Sequence, residues 1–218
     1  MKLRNILFGN YREKILSNVI CQEIQKLNNI KKKRKIKIID YGSGYNPIVI
    51  KNVIKSLKLK YKKTTFEAHC YDYYSKQQIK KLNVEKNIKF FHINKLNKIK
   101  LSKFDFCLLL DVLHHIGINE SKTYLITKKL KKISKFIIVK DHFQYGFFSN
   151  FVLIIMDIFG NYSDNVKIPS VYFSITTYED FIFKLKMNEI KRICDKSYYK
   201  WFWIYFNSKK LQFVSILK

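Results

Sequence analysis

The stretch Ile-Lys-Ile-Ile-Asp-Tyr-Gly-Ser-Gly-Tyr-Asn at residues 36–46 decides the fold of this chain. Its first half is a β-branched run of the kind that forms strands, and it ends at the acidic residue Asp40. Gly42 and Gly44 then let the backbone adopt left-handed angles and approach a ligand closely. Asn46-Pro47 is suited to cap and begin a helix. The pattern predicts a strand, a nucleotide-binding turn and a helix.

Strands and helices alternate on both sides of this turn. Residues 10–27 and 47–57 have the apolar spacing of amphipathic helices, whereas residues 104–110 form a near-continuous apolar run that is typical of a buried parallel strand. The alternation predicts an α/β fold: a Rossmann-like, seven-stranded, mostly parallel sheet with helices on both faces. Further segments are predicted as strands at 66–72, 88–93, 135–139, 189–194 and 211–217 and as helices at 75–82, 119–133, 147–159 and 178–186.

Two motifs carry a resemblance to a known family. The first is Asp40, Gly42 and Gly44, with Asn46 in place of a third glycine, and the second is Asp-Val-Leu-His-His-Ile at residues 111–116, directly after a buried strand. In this order they resemble the first and fourth motifs of the class I S-adenosylmethionine-dependent methyltransferases. The resemblance covers about residues 36–141. It implies S-adenosyl-L-methionine as the cofactor and an antiparallel last strand.

The resemblance also implies a set of cofactor-binding residues. The glycines would lie against the amino-acid end of the cofactor, and Asp72 would accept hydrogen bonds from both ribose hydroxyls. Asn94 would accept from the adenine amino group, and Tyr73 and Tyr74 would cover the adenine. The alternatives are a turn-capping role for Asp72 and surface packing for the tyrosines. The complete predicted set is Asp40, Gly42, Gly44, Asp72, Tyr73, Asn94 and Asp111.

The catalytic candidates follow the fourth and fifth predicted strands. Strand 135–139 would deliver Lys140, Asp141 and His142 to the ligand-binding edge of the sheet. We predict that His142, or failing that His115, removes the acceptor proton, and that Asp141 orients the base or the acceptor hydroxyl. The alternative for the His114-His115 pair is one histidine bonded to backbone in the core and one solvated.

The remaining segments are predicted to extend a single methyltransferase domain over residues 1–218. Residues 1–34 form a helical cap, 35–141 the cofactor-binding core, 142–176 a helical lid inserted after strand 5, and 177–218 a final helix and strand pair. In the lid, Asp157, Asn161 and Tyr172 are the polar candidates. A membrane-surface helix is the competing interpretation, although residues 143–166 lack Lys and Arg. Thr176 and Glu179 have the spacing of a capping box.

Composition limits the partners. Lys and Arg number 43 against 16 Asp and Glu, which gives a net charge of +27. Such a charge suits nucleic acid or an anionic membrane. Only four of the 43 are Arg, however, and phosphate recognition favours the guanidinium, so we favour a solvated basic surface. Nucleic-acid binding and peripheral membrane contact stay open as alternatives.

The cysteines and the apolar runs of the sequence predict the cellular location of the protein. Four cysteines without a Cys-x-x-Cys pair indicate reduced thiols, no metal site and a cytoplasmic protein. The longest apolar stretch, residues 147–159, contains Ser149, Asn150 and Asp157 and is too short to span a bilayer.

These observations predict O-methylation of a small molecule, such as a sugar or a lipid-linked intermediate. A Rossmann dehydrogenase would want the third glycine and has no place for the 111–116 block. The alternatives that remain are an RNA methyltransferase, which the basic surface favours, and a module that binds the cofactor or a partner without turnover.

Overall fold

The protein is described by a computed structural model that covers residues 11–27, 30, 33–44, 46–82, 86–99, 104–118, 121–161, 168–194 and 209–218. The first ten residues of the predicted cap, residues 119–120 at the start of a predicted helix, and residues 162–167 of the predicted lid lie outside these ranges. The helices are α1 Tyr11–Leu27, α2 Ile48–Lys60, α3 Lys76–Leu82, α4 Leu113–Ile116, α5 Ser121–Ile133, α6 Phe147–Asn161 and α7 Ile175–Lys184. The strands are β1 Lys35–Tyr41, β2 Thr65–Asp72, β3 Ile88–His92, β4 Phe104–Leu110, β5 Ser134–His142, β6 Glu189–Ile193 and β7 Gln212–Leu217.

The seven strands form one sheet in the order β3-β2-β1-β4-β5-β7-β6. Strand β1 pairs in parallel with both β2 and β4, and β2 pairs in parallel with β3. In the β1–β4 register, Ile38 lies opposite Phe106 and Asp40 opposite Leu108. Strands β6 and β7 are antiparallel. The predicted seven-stranded, mostly parallel sheet with an antiparallel end is therefore confirmed.

The sequence of the central strands explains why they lie inside the sheet. Ile36, Ile38 and Ile39 of β1 are fully buried, and so are the residues 106–109 of β4. Strands that are covered on both faces need apolar side chains at successive positions rather than at alternate ones. The apolar runs of β1 and β4 therefore indicate the strands that carry the glycine turn and the residues 111–116.

The described chain forms two compact units. The first, called here the glycine-turn unit, contains residues 13–110 and 130–138. The second, called here the histidine unit, contains the described parts of residues 1–12, 111–129 and 139–218. The predicted division into a cap, a core, a lid and a C-terminal part stays a prediction.

Strand β5 is longer than the prediction of residues 135–139. It runs from Ser134 to His142, so Lys140, Asp141 and His142 lie inside the strand rather than after it. The three polar side chains are buried, with exposed fractions of 0%, 0% and 5%. Polar and charged side chains usually mark the end of a buried strand, and the sequence therefore predicted an end at residue 139. Charged side chains that are paired are nevertheless compatible with burial.

Two smaller boundaries also differ from the prediction. Helix α7 is capped by Ser174, whose hydroxyl accepts from the backbone N–H of Thr177 at 3.1 Å in a reciprocal capping box, so the predicted Thr176–Glu179 box is wrong. An extended Ser174 places its oxygen over the first turn, which the spacing alone did not locate. Strand β3 ends at His92, and Asn94 lies in a 3-10 turn at Ile93–Lys98.

Candidate functional site

The glycine turn after β1 has the backbone geometry that its sequence predicts. Gly42 and Gly44 have φ angles of 73° and 68°, in the left-handed region that favours glycine. The N–H of Gly42 donates to the carbonyl of Tyr71 at 2.8 Å, which holds the turn against the end of β2. Among the residues that the structure describes, a Cβ placed on Gly44 would meet nothing within 4 Å. These residues therefore leave open space beside the backbone of the turn.

Asp72, the last residue of β2, connects that strand to the glycine turn. Its Oδ2 accepts the N–H of Gly44 at 2.7 Å, and its Oδ1 accepts the N–H of Tyr73 at 2.7 Å. Each carboxylate oxygen has a second lone pair, so the group retains acceptor capacity for ligand hydroxyls. Asp72 therefore has a turn-stabilising role in the structure and is compatible with the predicted ribose contact.

The other predicted adenine-side residues differ in their surroundings. The buried Tyr74 hydroxyl donates to the carbonyl of Gly44 and lies 2.7 Å from Ser43 Oγ, so Tyr74 supports the turn from inside. Tyr73 is 64% exposed, with its ring edge against His92. Asn94 is exposed, and its backbone N–H donates to His92 Nδ1 at 3.2 Å. Tyr73 and Asn94 stay predicted cofactor contacts.

Asp40, the acid of the first motif, is almost completely buried. Burial, with a smaller contribution from the charge of Asp72, raises the pKa of Asp40 to about 7. The carboxyl group thus keeps its proton under conditions in which an exposed aspartate is charged.

Replacing Asp40 by asparagine should stabilise the protein increasingly as the pH rises. The carboxyl group of an unfolded aspartate loses its proton at about pH 4, whereas the carboxyl group of folded Asp40 keeps its proton up to about pH 7. Between these values the folded state binds more protons, so the free energy of unfolding contributed by Asp40 falls as pH rises. Urea denaturation across this window should show that the free energy of unfolding of Asp40→Asn increases relative to that of the wild type as the pH rises. Asp180→Asn, at an exposed position, should show no such increase. A constant difference across the window would contradict the raised pKa.

In the histidine unit, Asp111 directly follows β4 and has a φ of 55°, which is rare for a residue other than glycine. Its backbone N–H donates to the carbonyl of Lys140 at 2.8 Å. Its carboxylate pairs with the ammonium of Lys140 and with the guanidinium of Arg12 from α1. Two cations therefore face the side chain that the sequence assigned to cofactor binding, and that assignment stays a prediction.

His114 lies at the centre of a buried cluster with Asp141, Asp157, Tyr172 and His142, which we call the histidine cluster. The Nδ1 of His114 donates to Asp141 Oδ1 at 2.5 Å, and its Nε2 lies 3.4 Å from Asp157 Oδ2. Burial favours the neutral imidazole, but Asp141 and Asp157 outweigh it and raise the pKa of His114 to about 9. Burial alone would raise the pKa of both carboxyl groups, but His114 lowers the pKa of each below its usual range. One histidine of the pair is thus in the core, hydrogen-bonded to the carboxylate of Asp141 rather than to a backbone carbonyl.

Tyr172 completes the far side of this cluster. Its buried hydroxyl lies 2.6 Å from Asp157 Oδ2 and 3.0 Å from the carbonyl oxygen of Leu153. Its ring centroid is 5.4 Å from that of His114 and 5.9 Å from that of His142. Two polar candidates of the predicted lid, Asp157 and Tyr172, therefore pack against residues from β5 and α4.

His142 is the predicted base, and its surroundings keep it neutral. Burial, reinforced by the charge of Lys140, lowers the pKa of His142 to about 3. Its Nε2 is 3.4 Å from Lys140 Nζ, whereas its Nδ1 lies 3.7 Å from Asp111 Oδ1 and 3.6 Å from Asp141 Oδ1. Within the described part of the chain, Nδ1 of His142 has no hydrogen-bond partner. Asp141 instead accepts the backbone N–H of His142 at 2.8 Å.

His115, the second candidate for the base, is half-buried beside His114, with ring centroids 4.1 Å apart. Two contacts were not predicted from the sequence: the ion pair of Arg12 with Asp111 and the contact between His114 and Asp157. Arg12 lies 99 positions from Asp111, and no local pattern signals such a pairing. The only signal for Asp157 was its position as an isolated acid within the apolar segment 147–159.

Comparisons with known proteins show which solved structures have a similar fold. No protein-family model matches the chain, and no curated protein matches it. Among solved structures, the CMeT domain of the citrinin polyketide synthase has a TM-score of 0.59 at 12% identity, covering 94% of this chain and 51% of that one. A Nostoc punctiforme protein described as a putative O-methyltransferase has a TM-score of 0.57 at 13% identity, covering 92% of this chain and 55% of that one. The Burkholderia thailandensis 1,6-didemethyltoxoflavin-N1-methyltransferase, solved with S-adenosylhomocysteine, has a TM-score of 0.54 at 9% identity, covering 94% and 76%.

This chain spans about half the length of the first two of these structures. The likenesses at such low identity establish the fold and not the activity. The chain has the Rossmann-like fold of the class I S-adenosylmethionine-dependent methyltransferases, as its two motifs predict.

Proposed function

We propose that the protein transfers a methyl group from S-adenosyl-L-methionine to a hydroxyl group of a small molecule. The observation that carries the proposal is the glycine turn: Gly44 leaves open space beside its backbone, and Asp72 lies at the end of the next strand. The methyltransferase structures of the same fold support it, and one of them is solved with S-adenosylhomocysteine. When bound, the cofactor supplies an electrophilic methyl group whose sulfonium is already a leaving group.

The glycine-turn unit would hold the cofactor. Gly42 and Gly44 would contact its amino-acid end, because a backbone without side chains permits close approach. Asp72 would accept from the ribose hydroxyls with the lone pairs that its two backbone bonds leave over. Of the remaining predicted contacts, Tyr73 and Asn94 would lie on the adenine side.

The histidine unit would supply the proton acceptor. His142 is neutral at pH 7 because burial and the charge of Lys140 lower its pKa, so it can accept a proton; the lowered pKa also makes it a weak base, and the reaction requires neighbouring carboxylates that favour the imidazolium. Lys140 Nζ can only donate to His142 Nε2, so Nε2 is the unprotonated nitrogen of the neutral ring and would take the acceptor proton. The carboxylates of Asp111 and Asp141, each within 4 Å of Nδ1, would stabilise the imidazolium that forms. Asp141, which accepts the backbone N–H of His142, would orient this base or the acceptor hydroxyl, and His115 is the second candidate for the base.

The exposed aromatic residues of α6 support an apolar or lipid-linked acceptor. Phe147 and Phe148 at its first turn are 89% and 75% exposed, and Phe151 is 51% exposed. Amphipathic surfaces of this kind contact acyl chains or other apolar groups. No helix in the described residues is both long and apolar enough to cross a membrane. Peripheral contact is therefore the form of membrane association that we propose to test, by co-sedimentation with phosphatidylglycerol vesicles.

The net charge of +27 favours a second candidate, an RNA methyltransferase. A measurement of S-adenosylhomocysteine release distinguishes the two candidates. The first would release this product with a small-molecule acceptor, and the second would release it with RNA. A non-catalytic cofactor-binding protein would bind the cofactor but release no product with either acceptor class.

Replacing Asp72 by alanine should weaken S-adenosyl-L-methionine binding by at least about tenfold, because charge-assisted hydrogen bonds to the ribose are lost and the glycine turn loses an anchor. Titration calorimetry measures the affinity directly. Asp72→Asn, which retains one acceptor oxygen, should lose less, and the exposed Asp180→Asn should bind as the wild type does. Unchanged affinity in Asp72→Ala would remove Asp72 from the cofactor site.

A further inference from the structure

The histidine cluster and the adjacent His115 contain metal-ligating side chains that the proposed base His142 does not require. His114, His115 and Asp157 each present one nitrogen or carboxylate oxygen, and these three atoms all lie within 4.8 Å of one another. We propose that they bind a divalent transition-metal ion through two imidazoles and one carboxylate. The proposal does not rest on methyl transfer, because an ion would bind to these side chains whether or not a methyl group is transferred.

His114 Nε2 is placed to bind an ion. This nitrogen is completely buried and has no hydrogen-bond partner among the described residues, although a buried polar atom without a partner is costly. It lies 3.4 Å from Asp157 Oδ2 in a geometry that is not a hydrogen bond. Two ligands that are each about 2.0–2.2 Å from one ion are separated by roughly 3–4 Å. The separation of the two atoms therefore suits a shared metal ion.

The outer contacts of a metal site are already present around these side chains. Metal-binding histidines usually donate their other ring nitrogen to a carboxylate or a carbonyl group, which fixes the tautomer and the ring orientation. His114 does so through Nδ1 to Asp141 at 2.5 Å. The hydroxyl of Tyr172 lies 2.6 Å from Asp157 Oδ2 and holds that carboxylate in turn. Asp141 is thus engaged with His114, which favours Asp157 as the carboxylate ligand.

The ion pairs of Asp141 and Asp157 differ from those of Asp111. Lys140 and Arg12 both pair with Asp111. The ion pairs that the described residues provide for Asp141 and Asp157 are all with histidines. An ion that binds His114 would displace the proton of this imidazole, and the two carboxylates of the cluster would then compensate the charge of the divalent cation.

Ligand chemistry indicates which ions would bind. Imidazole suits zinc, iron, copper and nickel, and a set of two histidines with one carboxylate is typical of Fe²⁺ sites with open positions. Three protein ligands leave room in the coordination sphere for water or for an oxygen atom of a substrate. The predicted ligand is therefore a borderline divalent ion rather than Mg²⁺ or Ca²⁺, which prefer oxygen ligands alone.

The test uses the whole chain, cleared of metal with a chelator and titrated with Co²⁺, whose visible absorption reports coordination. We expect saturable binding of one ion per chain, displaced by Zn²⁺. His115→Gln and Asp157→Asn should each weaken Co²⁺ binding by at least about tenfold, and Tyr172→Phe, which touches only the outer contact, should weaken it by about tenfold or less. His92→Gln, which removes an imidazole from the glycine-turn unit, should bind Co²⁺ as the wild type does.

The half-buried His115 is the decisive position, because its replacement disturbs the core less than that of the buried His114. Thermal unfolding of each variant should confirm that it is folded. The proposal is overturned if the wild type shows no saturable binding of one Co²⁺, or if folded His115→Gln and Asp157→Asn both retain wild-type affinity. Metal binding without any methyl transfer would contradict the proposed function alone, and methyl transfer without metal binding would contradict this inference alone.

Discussion

His142→Ala should lower the turnover of methyl transfer by about 10²–10⁴-fold, because a positioned general base contributes a factor of that size. His142 is buried, neutral at pH 7, and has an Nδ1 atom that is flanked by two carboxylates within 4 Å. The variant removes the proton acceptor but touches no residue of the glycine turn. Affinity for S-adenosyl-L-methionine should therefore stay unchanged while turnover falls, which single-turnover kinetics and calorimetry measure separately.

The matched control for this prediction is His115→Ala. His115 is half-buried and lies beside His114, so its loss should reduce turnover less than the loss of His142. If His115→Ala is the more damaging variant, the base is His115 and the assignment to His142 is wrong. If both variants retain full activity on the true acceptor, no histidine acts as the base and positioning alone carries the reaction.

Asp141→Ala should destabilise the folded protein by about 3–5 kcal/mol, the cost of removing one partner from a buried ion pair. The Asp141 carboxylate is fully buried, accepts from His114 Nδ1 at 2.5 Å, and also accepts the backbone N–H of His142. Its removal leaves a buried imidazole and a buried N–H without their acceptor. Urea denaturation of the variant and the wild type at pH 7 gives the difference in free energy of unfolding.

Asp141→Asn is the informative companion, since it keeps an acceptor oxygen and the volume of the side chain but removes the charge. We expect a smaller loss of stability than in Asp141→Ala. The exposed Asp180→Ala should change stability by less than about 0.5 kcal/mol. A loss below about 1 kcal/mol in Asp141→Ala would contradict a central role for this carboxylate in the histidine cluster.

The elements that the sequence predicted correctly are those in which local pattern and tertiary environment agree. Strand β1, the glycine turn and strand β4 combine strong apolar runs with residues that permit only a few backbone conformations. Their order along the chain was enough to predict the sheet and its parallel pairing. The extension of β5 was missed because a run of Lys, Asp and His has no preference for a buried strand.

The sequence by itself therefore determined the α/β class, the central strands and the glycine turn, because apolar periodicity and glycine act within a few residues. The tertiary structure decided the ionic states and partners of the histidine cluster. The pairing of Asp111 with Arg12 and the contact of His114 with Asp157 join residues that are distant along the chain. Burial then lowers the pKa of His142 while neighbouring carboxylates raise that of His114. Opposite shifts in two residues of one type arise from desolvation and neighbouring charge, which exist only once the chain is folded.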